Sequence, residues 1–392
     1  MDSTRKIFIL AVEPSGDQLG AYLIQQLRKN STENLNIKGI GGSKMADLGV
    51  ASSVDVSALA VVGLIDGLRI YSKVKTLVNE TVKKIVEHNP QVVVLIDSWG
   101  FTIRVAKQIK KLLPETLLIK YVGPQVFATR PGRAKTTATY YDHLLTIHTF
   151  DGHFFENEGL KTTFVGNPAL YNHKNNFIGS TLEKYNPKNQ PLIGVFLGSR
   201  ENEIKQLCNV MLTAIEIVKK EYPDLVIVAP LSDNIATLVR SMAIEDKRLQ
   251  NIILLDEVAK IEVFSNIDLS LACSGTVTLE LADAGVPTVV AYRIGGWLGV
   301  VLQKLMFKAR FASLINLSAD EEIFPEFINL RCTAQNLANS LATMLQSPDQ
   351  RNLIKKKLKT VVAQMRGQTG NPSEIAAKKV LSLLDQRLET GK

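Results

Sequence analysis

Cysteine is scarce: Cys208, Cys273 and Cys332 are the only three in 392 residues, and they lie far apart. Such a set makes neither a disulfide framework nor a tetrahedral zinc site, and it suits a reducing compartment. No apolar run approaches the roughly 20 residues that a membrane-spanning helix needs. No secretory leader precedes the first strand-like stretch, since Met1-Asp2-Ser3-Thr4-Arg5-Lys6 passes directly into Ile7-Phe8-Ile9-Leu10. A soluble or peripheral protein is therefore expected. The five histidines, His88, His143, His148, His153 and His173, accompany no Ser or Cys nucleophile motif. Neither a metal nor a cofactor is expected. The chain also lacks a P-loop, and Gly39-Ile40-Gly41-Gly42, the cluster nearest to a dinucleotide fingerprint, is missing its third glycine.

What remains is ordinary globular composition, 45% apolar and 21% charged, in a chain long enough for two domains of roughly 150–200 residues. The net charge is +8, and residues 351–392 carry 10 Lys and Arg against 3 Asp and Glu. The excess therefore sits at the end of the chain and draws no stripe for nucleic acid. It suits a solvated helix face or an anionic surface.

Short apolar runs alternate with helical patterns. Strands are expected at Lys6–Val12, Asn36–Gly41, Gln91–Ile96, Leu117–Val122, His143–Ile147 and Thr163–Val165, with helices at Gln18–Lys29 and Phe101–Leu113. Asn and Pro crowd residues 167–191, which read as a linker. The alternation then resumes with strands Leu192–Leu197, Leu225–Ala229, Ile252–Leu255, Leu269–Ala272 and Thr288–Ala291, and with helices Glu201–Glu221 and Val277–Ala284. This pattern predicts an α/β protein of two Rossmann-like domains facing across a cleft, residues 1–166 and 192–370. A final segment, 371–392, opens with Asn371 as N-cap and Pro372 in the first turn. It is a candidate to return to the first domain. Ligands on such sheets bind beyond the carboxyl ends of the strands.

Four segments stand at such ends. Glu13-Pro14-Ser15-Gly16-Asp17 opens the first helix, where free N–H groups suit an anion or a sugar hydroxyl, and where Ser15 or Asp17 could equally serve as a cap. Asp97-Ser98-Trp99 follows the buried strand Gln91–Ile96, and a carboxylate there suits either a general base or a helix cap. Ser199 and Arg200 in Gly198-Ser199-Arg200-Glu201-Asn202-Glu203 combine helix N–H groups with a guanidinium, as a diphosphate clamp would; no capping role explains Arg200, and a surface ion pair is the competing account. Ser274-Gly275-Thr276 repeats the turn, with Glu280 one helical turn on, placed for ribose hydroxyls. Two phosphate-type turns in one domain favour a nucleotide-sugar over NAD. Two amphipathic stretches, Val61–Val74 with Ile65, Leu68 and Tyr71 on one face, and Gly295–Phe311, suit either a membrane interface or a buried face.

Taken in order, Glu13-Pro14-Ser15-Gly16-Asp17, Leu59-Ala60-Val61-Val62-Gly63, Ile96-Asp97-Ser98, Gly198–Glu203, Ser274–Glu280, Ala291-Tyr292-Arg293, Ser313-Leu314-Ile315-Asn316 and Pro325-Glu326-Phe327 resemble the lipid-A-disaccharide synthase family. The likeness runs from about residue 6 to 385. It implies an inverting GT-B glycosyltransferase that joins UDP-2,3-diacylglucosamine to 2,3-diacylglucosamine 1-phosphate, forms a β-1,6 disaccharide and releases UDP. It further implies a peripheral enzyme on the cytoplasmic face of the inner membrane of Gram-negative bacteria; a domain-exchanged homodimer is known in the family. By the same resemblance Asp97 is the base on the acceptor 6-hydroxyl and Arg200 neutralises the leaving diphosphate. Ser199, Ser274, Gly275, Thr276, Glu280 and Asn316 lie on the UDP side, Glu13, Ser15 and Gly16 line the opposite side, and Ile65, Leu68 and Tyr71 meet the membrane.

The chain departs from the family pattern at Val12, at Asn167, at Gly123–Thr129, at Asn329 and at Thr149-Phe150-Asp151, where Pro-Phe-Glu is usual. Two other readings stay open: another UDP-sugar enzyme of this fold, such as a 2-epimerase, and an inactive relative that binds a nucleotide-sugar or a lipid.

Overall fold

The structure, a computed structural model, describes residues 4–390 except 57–66, 128–129, 172–181, 183, 187–189, 294–309 and 368–369; for 67–71 and 390 it describes the backbone alone. The segment Leu59–Gly63, Ile65 and most of Gly295–Phe311 lie outside the described residues, and so do the side chains of Leu68 and Tyr71. The chain divides into two compact units: Met1–Pro168 with Arg366–Lys392, and Ala169–Met365.

Each unit holds a six-stranded sheet, and every strand pairing is parallel. In the first, β1 (Arg5–Leu10), β2 (Leu35–Ile40), β3 (Val92–Ile96), β4 (Leu117–Tyr121), β5 (His143–Thr146) and β6 (Thr162–Phe164) run in the order β2-β1-β3-β4-β5-β6. In the second, β7 (Leu192–Phe196), β8 (Val226–Leu231), β9 (Ile253–Asp256), β10 (Leu269–Cys273), β11 (Thr288–Tyr292) and β12 (Glu326–Ile328) run in the order β12-β11-β10-β7-β8-β9. The expected strands are all present, with ends shifted by a residue or two. The three-residue edge strand β12 was not expected, being too short to show a period.

The first unit's helices are α1 (Pro14–Asn30), α2 (Ser43–Ala46), α3 (Gly67–His88), α4 (Trp99–Leu112), α5 (Arg133–Tyr140) and α6 (Gly152–Glu156). The second unit carries α7 (Glu201–Glu221), α8 (Asp233–Glu245), α9 (Lys247–Gln250), α10 (Lys260–Asn266), α11 (Thr276–Asp283), α12 (Leu314–Ala319), α13 (Ala334–Gln346) and α14 (Pro348–Arg366). Among the described residues, no helix is long and apolar enough to cross a membrane.

Both faces of each sheet are covered, which is why the strands read as unbroken apolar runs. Ile7 and Ile9 of β1 enter one core and Phe8 and Leu10 the other. All five residues of β3 are buried, Val92, Val94 and Ile96 on one side and Val93 and Leu95 on the other. Gly285, after α11, takes φ +72°, the left-handed conformation that glycine supplies at a helix end.

The last helix, α15 (Pro372–Thr390), belongs to the first unit. Asn371 caps it through its side-chain oxygen, which accepts from the Ser373 N–H at 2.9 Å. Ala376, Ala377, Val380, Leu381 and Leu384 pack into the core that holds Ile7, Ile9 and Ile24. The small residues Ala376 and Ala377 let the helix lie close, and Leu384, with no exposed surface, supplies much of the apolar contact. Leu384→Ala is expected to destabilise the first unit by about 2–5 kcal/mol. Urea unfolding followed by circular dichroism checks this, and a loss under ~1 kcal/mol would mean that the helix is only loosely docked.

Candidate functional site

In a parallel sheet wound outward in both directions, the crossover helices part where the strand order reverses, leaving a crevice at the carboxyl ends. The first sheet reverses between β1 and β3, the second between β7 and β10. The four segments singled out in the sequence follow these four strands: Glu13 follows β1, Asp97 follows β3, Ser199 and Arg200 follow β7, and Ser274 follows β10.

At the first reversal Ser98 Oγ donates to Glu13 Oε1 at 3.0 Å, bridging the crevice. Asp97 and Ser98 both adopt positive φ, +42° and +38°, and Val122 beyond β4 has φ +67°. Three non-glycine residues in left-handed backbone, one of them β-branched, gather on the ends of adjacent strands; each such residue costs about 1–3 kcal/mol, and strain of this kind collects where the fold must aim a group. The Asp97 carboxylate caps nothing; the N-cap of α4 is Ser98, without a side-chain cap bond. Ser15 lies exposed in the first turn of α1, whose N-terminus has no side-chain cap. Gly16 is buried, and a Cβ there would rest in ordinary contact with Ala11 and Ile96, so the packing of the helix on the strand ends does not by itself require a glycine.

Asp17 proves to be a cap, though of another helix. Its carboxylate accepts from Gly42 N at 2.8 Å, Lys44 N at 2.9 Å and Met45 N at 3.2 Å, closing the start of α2. The Gly41-Gly42 pair is explained by the same contact, because a Cβ on Gly42 would stand 2.6 Å from Asp17 Oδ2.

Sequence reasoning missed Lys120. It lies in β4 with no exposed surface, and its ammonium donates to the Asp97 carbonyl and, at 3.0 Å, to Thr102 Oγ1. Thr102 Oγ1 also donates to the Asp97 carbonyl, at 3.0 Å. Burial drives the Lys120 pKa down to about 7, while the negative charges of Asp97 and Glu13 pull it back up. A lysine inside an apolar run looks like an outward-facing strand residue, so only the fold reveals that it underpins the Asp97 turn.

At the second reversal the two helix starts differ. Glu203 closes α7: its Oε2 accepts from Ser199 N at 2.8 Å and Arg200 N at 3.2 Å, and its Oε1 from Arg200 Nη1 at 3.3 Å. Gly198, at φ +112°, is the residue this closure requires, since a Cβ would stand 2.5 Å from Glu203 Oε2. The expectation that Ser199 offers free N–H groups to a phosphate is thereby corrected: a carboxylate already holds them. Arg200 occupies the N-cap position of α7 without a side-chain cap bond, since a guanidinium has no acceptor for a backbone N–H, and it is surface-paired with Glu203. Its guanidinium is 80% exposed, and such a pair is worth about 0–1 kcal/mol, so it is readily redirected.

The start of α11, by contrast, is open. Gly275 and Thr276 are exposed, no side chain caps the helix, and a Cβ on Gly275 would meet nothing within 4 Å. Ser274 Oγ contacts the Ala312 carbonyl at 3.5 Å. Burial raises the Cys273 thiol to about 12, with the charges of Glu203 adding to the rise and Arg200 opposing it, which places Arg200 electrostatically beside the end of β10. Glu280, expected for ribose, pairs with Lys260 Nζ at 3.0 Å and keeps 11% of its side chain exposed.

Asn316 is a second correction. It has no exposed surface, and its amide is saturated: Nδ2 donates to the Phe324 carbonyl and Glu326 Oε1, and Oδ1 accepts from Ile323 N and Phe324 N. An amide with both hydrogens and both lone pairs engaged has nothing left for a ligand. Its role is structural. Together with buried Glu326, which accepts from Ala312 N at 2.6 Å and Ser313 N at 2.8 Å, it fixes the segment that Ser274 touches.

The sequence model of the family described as lipid-A-disaccharide synthetase matches residues 7–380. The chain belongs to this family. Lipid-A-disaccharide synthase of Rickettsia prowazekii (strain Madrid E) is 33% identical over 380 residues, covering 95% of this chain and 98% of that one. The synthase of Rhodospirillum centenum (strain ATCC 51521 / SW) is 34% identical over 386 residues, 97% of this chain and 95% of its own. The fold is also that of UDP-GlcNAc 2-epimerase from Neisseria meningitidis, solved bound to UDP-GlcNAc, with TM-score 0.62, 14% identity and coverage of 98% and 100%. The Methanocaldococcus jannaschii enzyme, solved with UDP-GlcNAc and UDP, gives TM-score 0.59 at 13% identity, with 97% and 99% covered.

Asp151, beyond β5, is 3% exposed, its Oδ1 has no hydrogen-bond partner among the described residues, and burial raises its pKa to about 8. Burial lowers that of His148 to about 4, so both are mainly uncharged at neutral pH. Folded protein thus retains the Asp151 proton between the ordinary value of 3.8 and about 8, and stability falls as pH rises through that window. Asp151→Asn is expected to gain stability over the parent at pH 8.5 by a larger margin than at pH 5. Urea titrations at the two pH values measure it, and equal margins would refute the buried neutral carboxyl.

Proposed function

We propose that this chain is a lipid-A-disaccharide synthase that transfers a 2,3-diacylglucosaminyl group from its UDP donor to 2,3-diacylglucosamine 1-phosphate. The full-length match to the family carries this reading. The activity is that of a hexosyltransferase in lipid A biosynthesis.

In the proposed reaction the acceptor 6-hydroxyl attacks the anomeric carbon of the donor. The new O6–C1 bond forms as the bond from C1 to the UDP oxygen breaks, with inversion. Asp97 takes the hydroxyl proton; its position in strained backbone at a strand end, uncapped, suits a general base, a role worth about 10²–10⁴-fold. Negative charge develops on the departing diphosphate. The uncapped start of α11, with Gly275 and Thr276, and the exposed Arg200 guanidinium are the donors that would lower that barrier. Glu280 remains the candidate for ribose, with Lys260 fixing its orientation. Both substrates are amphiphiles, so we place the enzyme at a membrane surface. Lys355, Lys356 and Lys359, exposed on α14, are suited to anionic headgroups.

The decisive assay mixes the protein with both substrates and weighs the product. UDP release that requires the acceptor, with a disaccharide 1-phosphate formed, supports the reading; release without acceptor, or an epimerised sugar, points to the chemistry of the structural neighbours and overturns it. Asp97→Ala is expected to lower turnover at least ~100-fold while calorimetric UDP affinity holds. Arg200→Ala should weaken UDP binding as well as turnover, and unchanged affinity would remove Arg200 from the donor side.

A further inference from the structure

Beside Trp99, two residues after Asp97, the first unit brings two arginines together. Arg130-Pro131-Gly132-Arg133 is a tight turn, closed by the Arg133 N–H donating to the Arg130 carbonyl at 3.0 Å. Residues at the two ends of such a turn lie within about 7 Å at Cα, and the charge of Arg130 is felt at the Arg133 guanidinium. Arg130 is exposed and takes φ +50°, a conformation that an arginine adopts only at a cost. Arg133 is half-buried, with its guanidinium 4.4 Å from the centre of the Trp99 ring. Trp99 is anchored in turn, its indole N–H donating to Thr137 Oγ1 at 3.2 Å.

The Trp99 ring stabilises the Arg133 cation, and two other influences oppose it. Burial and the charge of Arg130 both disfavour the Arg133 cation. Among the described residues no carboxylate pairs with either group. Trp99 holds the Arg133 guanidinium by its ring, and among the described residues no acceptor is hydrogen-bonded to either guanidinium. A dianion set between the two would offset the repulsion, and arginine forks match the oxygens of a phosphate. We propose that Arg130 and Arg133, with Trp99 as their platform, form a phosphomonoester subsite that holds the 1-phosphate of the acceptor. The assignment rests on the glycosyltransferase reading above and adds to it the group by which the acceptor is chosen. The phosphate is the one strongly charged part of an otherwise lipid-like acceptor, with a charge of about −1.5 to −2 at neutral pH. Holding it would leave the sugar's 6-hydroxyl as the group offered to Asp97.

The test compares two acceptors, 2,3-diacylglucosamine 1-phosphate and the same compound without its phosphate, using wild type, Arg130→Ala and the double variant Arg130→Ala/Arg133→Ala. Arg130 is exposed, so its single variant leaves the fold intact; unfolding midpoints check the double variant. The subsite predicts a KM for the phosphorylated acceptor raised about 10- to 100-fold, no change with the unphosphorylated one, and unaltered UDP affinity. Equal losses with both acceptors, or an unchanged KM, overturn it. If wild type makes no product from either acceptor, the reading in the preceding section fails, and the subsite is then judged by calorimetry with glucosamine 1-phosphate. Binding to wild type that the Arg130→Ala variant weakens supports the subsite; equal binding, or none, overturns it.

Discussion

Parallel strands can be joined only by crossovers, and each crossover packs its helix on one face of the sheet. When a sheet grows outward from its first strand in both directions, two neighbouring strands send their following helices to opposite faces. The strand ends at that place are left uncovered, with backbone N–H groups and polar side chains facing solvent. Both units are built this way, and the chemistry-bearing residues follow from it. Glu13, Asp97 and Ser98 collect between β1 and β3, and Arg200, Ser274 and Thr276 between β7 and β10.

At such a crevice the fold must decide which donors it satisfies internally and which it leaves for a ligand. The carboxylates make that choice. Asp17 takes up three N–H groups at α2, and Glu203 takes up two at α7. The start of α11 receives no such group, and its glycine leaves space in front of the backbone. Two helix starts in adjacent positions on one sheet thus acquire different characters, one occupied and one available, from the presence or absence of a glutamate three residues past the cap. Lys120 shows the same accounting within the sheet. An ammonium with no exposed surface persists where a carbonyl and a hydroxyl accept from it and two carboxylates lie near enough to be felt.

The fold was largely legible in the sequence because doubly covered parallel strands leave an unmistakable signal: runs such as Val92–Ile96, each followed by a helical period and a Gly or Pro break. Site position was legible for the same reason, since a motif that directly follows a strand lies at its carboxyl end. Roles were harder to read. Asn316 sits in a family-like motif, yet its bonds run to Phe324 and Glu326, partners that only the chain's path through β12 brings close. Asp17 acts on a helix 25 residues away. Each of these depends on where a distant backbone passes, and no local spacing encodes that. Lys120 was invisible for another reason: one charge in a six-residue apolar run is ordinarily the solvent side of a strand.

The return of α15 has a consequence for synthesis. The first unit's sheet is translated early, but the helix that covers Ile7, Ile9 and Ile24 emerges only after the whole of Ala169–Met365. At about 5–20 residues per second, some ten to forty seconds separate the two. Throughout that interval one apolar face of the nascent amino-terminal sheet is covered only in part, by α1, and leaves a surface for chaperones to shield. Only once α15 has been made can the oldest part of the protein close.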